Sequence, residues 1–212
     1  MSAAVAAAAP ARERTGVLSA CGIVAGPIYV LVAAIQVLTR EGFDLTRHPV
    51  SVLSNGDAGW IQIANFLVTG ALTLAFAAGL ARAGEGRWAP RLIALYGLGV
   101  VGAGLFAADP MDGFPIGADT TITWHGLAHL AVGGIGFLGL VAACLVLARA
   151  HAAAGRRGWA LYSAVTGVVF LAAFLGIASG ARVPGLNLAF AAAVVAGWTW
   201  LSLTAARLHR TR

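Results

Sequence analysis

Six stretches of the chain are continuously apolar: residues 17 to 38, 61 to 81, 91 to 108, 126 to 148, 159 to 180 and 185 to 206. Crossing a hydrocarbon core about 30 Å thick takes roughly 20 residues of helix, so each stretch predicts one membrane-spanning helix. Their unbroken apolar character argues against a transmembrane barrel, whose strands alternate lipid-facing and lumen-facing residues. The expected fold class is an all-α membrane protein, a bundle of six transmembrane helices over residues 17–208. Residues 1–16 are expected to form a disordered tail, and residues 209–212 a short basic one.

Composition removes the soluble alternative. Of 212 residues, 59% are hydrophobic and 10% charged, against about 45–50% and about 25% in soluble domains. All 14 basic residues are Arg. Eleven of them flank one set of span ends: Arg12, Arg14, Arg82, Arg87, Arg91, Arg149, Arg156, Arg157, Arg207, Arg210 and Arg212. The opposite ends carry Arg40, Arg47 and Arg182 with six of the eight acids: Glu41, Asp44, Asp57, Asp109, Asp112 and Asp119. The positive-inside rule then places both termini in the cytoplasm and the chain in the cell membrane as a multi-pass protein. The net charge of +6 is a topology signal rather than a nucleic-acid footprint.

The N-terminal residues lack the basic region of a cleaved signal peptide, so the first span is expected to be an uncleaved anchor. Cys21 and Cys144 both fall toward the reducing side and are expected to be free thiols. Gly22 with Gly26, and Gly176 with Gly180, form GxxxG pairs suited to packing inside the monomer or to a homo-oligomer face. Pro27 is expected to kink the first helix.

The breaks between spans are unequal. Those at the Arg-rich end are short, whereas residues 39 to 60 and 109 to 125 form long polar segments where chemistry is expected. Helix two carries Gln62, Asn65, Thr69 and Thr73 on one face, which must find partners inside the bundle or line a wet cavity. His125 and His129 stand at i and i+4, the spacing that lets two imidazoles reach one ion. With His48 they would make a three-histidine zinc site with an open position for water, and zinc is the cofactor this pattern allows. The bland alternative is that all three are hydrogen-bonded interface residues. Asp109 and Asp112 are candidate acids or bases, or, for Asp109, a carboxylate paired with Arg47. Ser51 and Ser54 fit an interfacial turn, and no GxSxG elbow or SxxK motif makes either a nucleophile.

The strings Arg47-His48-Pro49-Val50-Ser51-Val52-Leu53-Ser54 and Gly59-Trp60-Ile61-Gln62-Ile63-Ala64-Asn65-Phe66, followed by Asp109-Pro110 and Trp124-His125-Gly126-Leu127-Ala128-His129, resemble the domain-of-unknown-function family 998. That family comprises small bacterial and archaeal membrane proteins. The resemblance spans residues 17 to 206 and implies six helices, but no activity. In residue types alone, His48, Ser51, Asp109, His125 and His129 are also similar to the zinc site of the alkaline ceramidase and progestin/adiponectin receptor superfamily. The chain departs from that superfamily in having six spans rather than seven, and in placing its histidine pair in the fourth span rather than the last.

Two functional expectations follow. One is a membrane enzyme with His48, Asp109 and Asp112 as catalytic residues, Arg47, Trp60, Gln62, Asn65 and Trp124 against the substrate, and His48, His125 and His129 as metal ligands. It would hydrolyse a lipid amide or ester with zinc, or without metal use an Asp acid on an isoprenoid-like substrate beside Trp60, Trp124 and Phe114. The other is a carrier, sensor or assembly subunit that binds an apolar or lipid-like ligand without chemistry.

Overall fold

The computed structural model describes residues 3–181, 183 and 185–211, with side chains from Arg14 onward. The side chains of Arg12, Arg182 and Arg212, which enter the charge pattern, lie outside the described residues. Six helices are long and apolar enough to span a membrane: α1 (Ala3–Thr39), α2 (Gly59–Ala83), α3 (Trp88–Leu105), α4 (Trp124–Ala153), α5 (Arg157–Ala178) and α6 (Leu186–Arg210). A 3-10 turn covers Val50–Ser54. Among the described residues the β-type pairing is a single bridge between Met111 and Phe114.

Three boundaries differ from the sequence reading. Helix α1 continues back to Ala3 where a disordered tail was expected. An Ala-rich segment joined to a formed helix lengthens it without a new nucleation step. Helix α3 ends at Leu105, and Phe106 is already extended. Asp109 precedes Pro110, which disfavours helical geometry at Asp109, so this aspartate is not at the lip of α3. Helix α5 ends at Ala178, leaving Gly180 beyond it with φ +70°. The pair Gly176 and Gly180 is therefore not a helix-contact face. Gly176 meets Leu186 across the turn to α6.

Each helix packs on the next, and α1 also packs on α6, so the six form a closed ring. Small residues set its tightest contacts, because lipid offers no hydrophobic drive between helices and close backbone approach must replace it. A Cβ on Gly22 would overlap Phe76 and Ala205, and one on Gly26 would overlap Ser202 and the Trp198 backbone. This first GxxxG thus holds α1 against α2 and α6 inside the monomer. Between α3 and α4, a Cβ on Gly99 would lie 2.6 Å from the Gly136 Cα.

Tyr29, Tyr96 and Trp198 fill the ring's interior, with Tyr29 stacked on Trp198 at 4.8 Å. Side chains such as Leu31, Leu98, Leu130 and Leu161 project outward, the girdle expected of lipid-facing surface. Helix α5 is the least enclosed of the six. Cys21 and Cys144 are free thiols.

Candidate functional site

The long segment after α1 folds into a cap over one end of the ring. Its own small core contains Val52, Leu53 and Phe114, with Phe43 edge-on to Phe114 at 5.2 Å. Polar groups stitch it together. Arg40 donates to the carbonyls of Leu53 and Asn55 at 3.2 and 2.6 Å while its guanidinium lies over the Phe114 ring. Asn55 donates to the carbonyls of Val52 and Ala108. Phe114 is thus cap core, not a substrate-facing ring.

His48 is 1% exposed and has both ring nitrogens engaged. Nδ1 accepts the Asp44 N–H at 2.9 Å, so Nε2 carries the hydrogen that it donates to the Asp112 carbonyl at 3.2 Å. An imidazole held in this way has no lone pair left for a metal and no free nitrogen for base catalysis. Asp112 takes part through its backbone, which adopts φ 50° and also accepts from Arg47 at 2.7 Å. Arg47 is exposed, and its own carbonyl accepts from Asn187 on α6 at 2.8 Å. In this structure, therefore, His48, Asp112 and Arg47 hold the cap together. The Asp44 carboxyl sits below its ordinary range because the Thr46 hydroxyl, and then the Thr46 N–H, donate to it.

Asp109 organises the start of α4. Its carboxylate accepts the Thr123 N–H at 2.9 Å and the Thr123 hydroxyl at 2.6 Å, and Thr123 in turn caps the helix by accepting the Gly126 N–H at 3.1 Å. A carboxylate here also meets the positive end of the helix dipole. A Cβ on Gly126 would overlap the Asp109 carboxylate. Arg47 is not its partner, contrary to one expectation. The adjacent His125 is exposed and lies against Trp124, the two rings tilted with centroids 3.6 Å apart. Trp124 and Trp60 are 65% and 67% exposed and do not line the cavity described below. Among the described residues no three His, Cys, Asp or Glu side chains gather as a metal-ligand set. The three-histidine zinc site is not assembled, because His48 is closed within the cap, His125 points outward and His129 turns to the backbone of α3.

The polar face of α2 is entirely buried and turns toward α1. Gln36, a residue the sequence reading passed over, donates to Gln62 at 2.8 Å and to the Val32 carbonyl at 3.3 Å. Asn65 donates to the Tyr29 carbonyl and to Gln62. The two α1 carbonyls accept only, so they orient all three amides and leave Gln36 Oε1, Asn65 Oδ1 and Gln62 Nε2 without protein partners. Thr69 and Thr73 bond back to the carbonyls of Asn65 and Thr69. Gln62 and Asn65 join two helices and do not line the cavity described next.

That cavity, about 130 Å³, lies within the ring below the cap. All six helices contribute to it, and Pro49, Val50 and Ser51 form its lid. The walls are aromatic: Tyr29, Phe66, Tyr96, Phe137, Phe174, Phe190 and Trp198. Gly133 lines it too, and a Cβ there would meet nothing within 4 Å. His129 lines it together with a few other polar side chains, Ser51, Asn187 and the hydroxyl-bearing Tyr29 and Tyr96. His129 Nδ1 contacts the Phe106 carbonyl at 2.8 Å and the Ala103 carbonyl at 3.2 Å, at the end of α3. Carbonyls cannot donate, so Nδ1 holds the hydrogen and Nε2 keeps its lone pair. Nε2 has no partner among the described residues, yet it is not sealed into protein.

Of the predicted metal, catalytic and substrate residues, His129 is the one that lines this cavity. The aromatic walls escaped the sequence reading because each helix contributes only one or two of them. The Gly133-Gly134 step beside His129 was the local sign of room.

No curated protein and no solved structure matches the chain. The family resemblance read from the His48 to Phe66 strings and the His125/His129 segment is borne out. The model described as protein of unknown function (DUF998) matches residues 23–207, nearly the whole of the helical ring, and the chain belongs to that family.

Proposed function

We propose that this protein is a membrane-embedded binding protein that takes an apolar molecule from the bilayer into the ring, beneath a cap facing away from the cytoplasm. The observation that carries this reading is the aromatic cavity with an unpartnered acceptor, His129 Nε2, in a residue of its wall. Ligand sites are characteristically apolar and concave, with few convergent polar groups. Half-buried Gly133, with open space beside it, supports a lateral way in from lipid. The eleven Arg at the opposite end support a cytoplasmic location for that end and for both termini.

Binding without chemistry is favoured over hydrolysis or acid catalysis. Asp109 and Asp112, the carboxylates an enzyme reading would use, do not line the cavity. Beside His129 the polar side chains lining the cavity are the hydroxyls of Ser51, Tyr29 and Tyr96, the Asn187 amide and the Trp198 N–H, with no carboxylate, thiol or second histidine among the lining residues.

The test uses protein in lipid nanodiscs and 4-fluoroanisole, followed by ¹⁹F NMR against empty nanodiscs. Saturable line broadening is expected in wild type and its loss in Gly133→Phe, whose side chain would occupy the cavity. A response equal to that of empty nanodiscs would remove the binding reading.

A further inference from the structure

Three observations narrow what the cavity holds, and they rest on the binding reading above. First is size. About 130 Å³ is close to the roughly 150 Å³ of an engineered apolar cavity that takes up benzene. One six-membered ring fits, and an alkyl chain of membrane length does not fit whole. Second is the shape and character of the wall. Phe137 stands edge-on to Phe174 and Phe190 at 5.4 and 5.6 Å, while Tyr29 stacks on Trp198. Aromatic pairs favour offset-stacked and edge-to-face contacts, and this wall offers a guest ring both faces and edges.

Third is the fixed polarity of His129. The two α3 carbonyls require His129 Nδ1 to donate, so the nitrogen left toward the cavity accepts. A guest bearing one O–H satisfies that lone pair, whereas the hydroxyls of Ser51, Tyr29 and Tyr96 in the same wall can turn to donate or to accept. A guest with only acceptors, such as an ether or a ketone, leaves the His129 lone pair unmet.

We infer that the cavity selects a hydroxylated aromatic ring, a phenol-type head group, whose hydroxyl donates to His129 Nε2 while its face and edge pack on the aromatic wall. Any tail on such a ring leaves beside Gly133 toward the bilayer.

The experiment compares 4-fluorophenol with 4-fluoroanisole, which has the same fluorinated ring but no donor, by ¹⁹F NMR titration in nanodiscs. It uses wild type and His129→Asn. The shorter Asn amide keeps a donor for the α3 carbonyls and places no acceptor at the position of His129 Nε2. After correction for partition into empty nanodiscs, wild type is expected to favour the phenol by about three- to tenfold, the range for one neutral hydrogen bond. In His129→Asn the two ligands are expected to bind alike, with 4-fluoroanisole affinity unchanged.

Equal affinities in wild type, or a phenol preference that survives in His129→Asn, would overturn the phenol inference while leaving apolar binding intact. Failure of both ligands to bind would instead overturn the binding reading itself. If His129→Asn does not fold, the wild-type ratio still decides.

Discussion

The cap and the cavity beneath it meet at Pro49 to Ser51 and treat their polar groups in opposite ways. In the cap, His48, Arg40, Asn55 and Asp109 are all partnered by backbone or by Thr123. In the cavity, His129 engages the backbone with one nitrogen and leaves the other open. Both histidines are buried, and both read alike in the sequence. The number of ring nitrogens that the fold consumes, rather than burial or residue type, separates a fastening from a handle.

The sharpest way to break this contrast is at the cap's attachment to α4. Gly126→Ala forces the Asp109 carboxylate off Thr123 and is expected to lower stability by about 2–4 kcal/mol, from overpacking and a lost cap. Thermal unfolding in mild detergent measures it. Adding Asp109→Ala should restore part of the loss, because the clashing group is gone. Simple additivity of the two penalties would show that the close approach is not the cause.

His48→Ala unpairs the Asp44 N–H, leaves the Asp112 carbonyl with Arg47 as its one remaining donor, and empties the ring's place beside Phe43 and Phe114. A loss of about 2–3 kcal/mol is expected with ligand affinity unchanged. His129→Asn is the mirror case, with stability held to within about 1 kcal/mol and the donor preference abolished. If the two variants exchanged these phenotypes, the distinction between fastening and handle would fall.

A smaller effect tests whether the cap is tied to α6. Asn187→Ala removes the bonds to the carbonyls of Arg47 and Thr46, an exposed contact worth about 0.5–1 kcal/mol. Hydrogen exchange should rise at Arg47 and His48 before it rises in α2. The smallest effect is in pH. Asp44 is held below its ordinary carboxylate range by Thr46, so its contribution is present above the unfolded carboxylate's pKa and disappears as pH falls through the lowered value. The melting-temperature gap between wild type and Thr46→Val should therefore be open near neutral pH and close under acid. A gap that widened on acidification would reverse the sign.

The six helices were legible because each depends on a local property, some twenty apolar residues with a polar break. The positions of Gln62 and Asn65 on an inward face were legible for the same reason. The site was not. A sequence shows that His48 and His129 are histidines near polar segments, but not which carbonyls lie within 3.2 Å of them. Those carbonyls belong to Asp112, 64 residues from His48, and to Phe106, 23 residues from His129. The zinc reading treated His48, His125 and His129 as free ligands, and tertiary folding had already engaged the first and third and turned the second outward. The cavity is still more remote from local pattern, because it exists only once α6 has closed on α1.

That closure leaves the start and end of the helical ring side by side, with the Gly16 carbonyl of α1 3.2 Å from His209 Nδ1 of α6. Contact order around the ring is thus cyclic, and no helix is first or last in any structural sense. A linker joining residue 16 to residue 209, with new ends opened in the Arg-rich connection after α2 or α4, would conserve every helix pair and the side on which each connection lies. The arrangement behaves as a hoop that happens to be cut once, and the binding chamber belongs to the hoop rather than to any point along the thread.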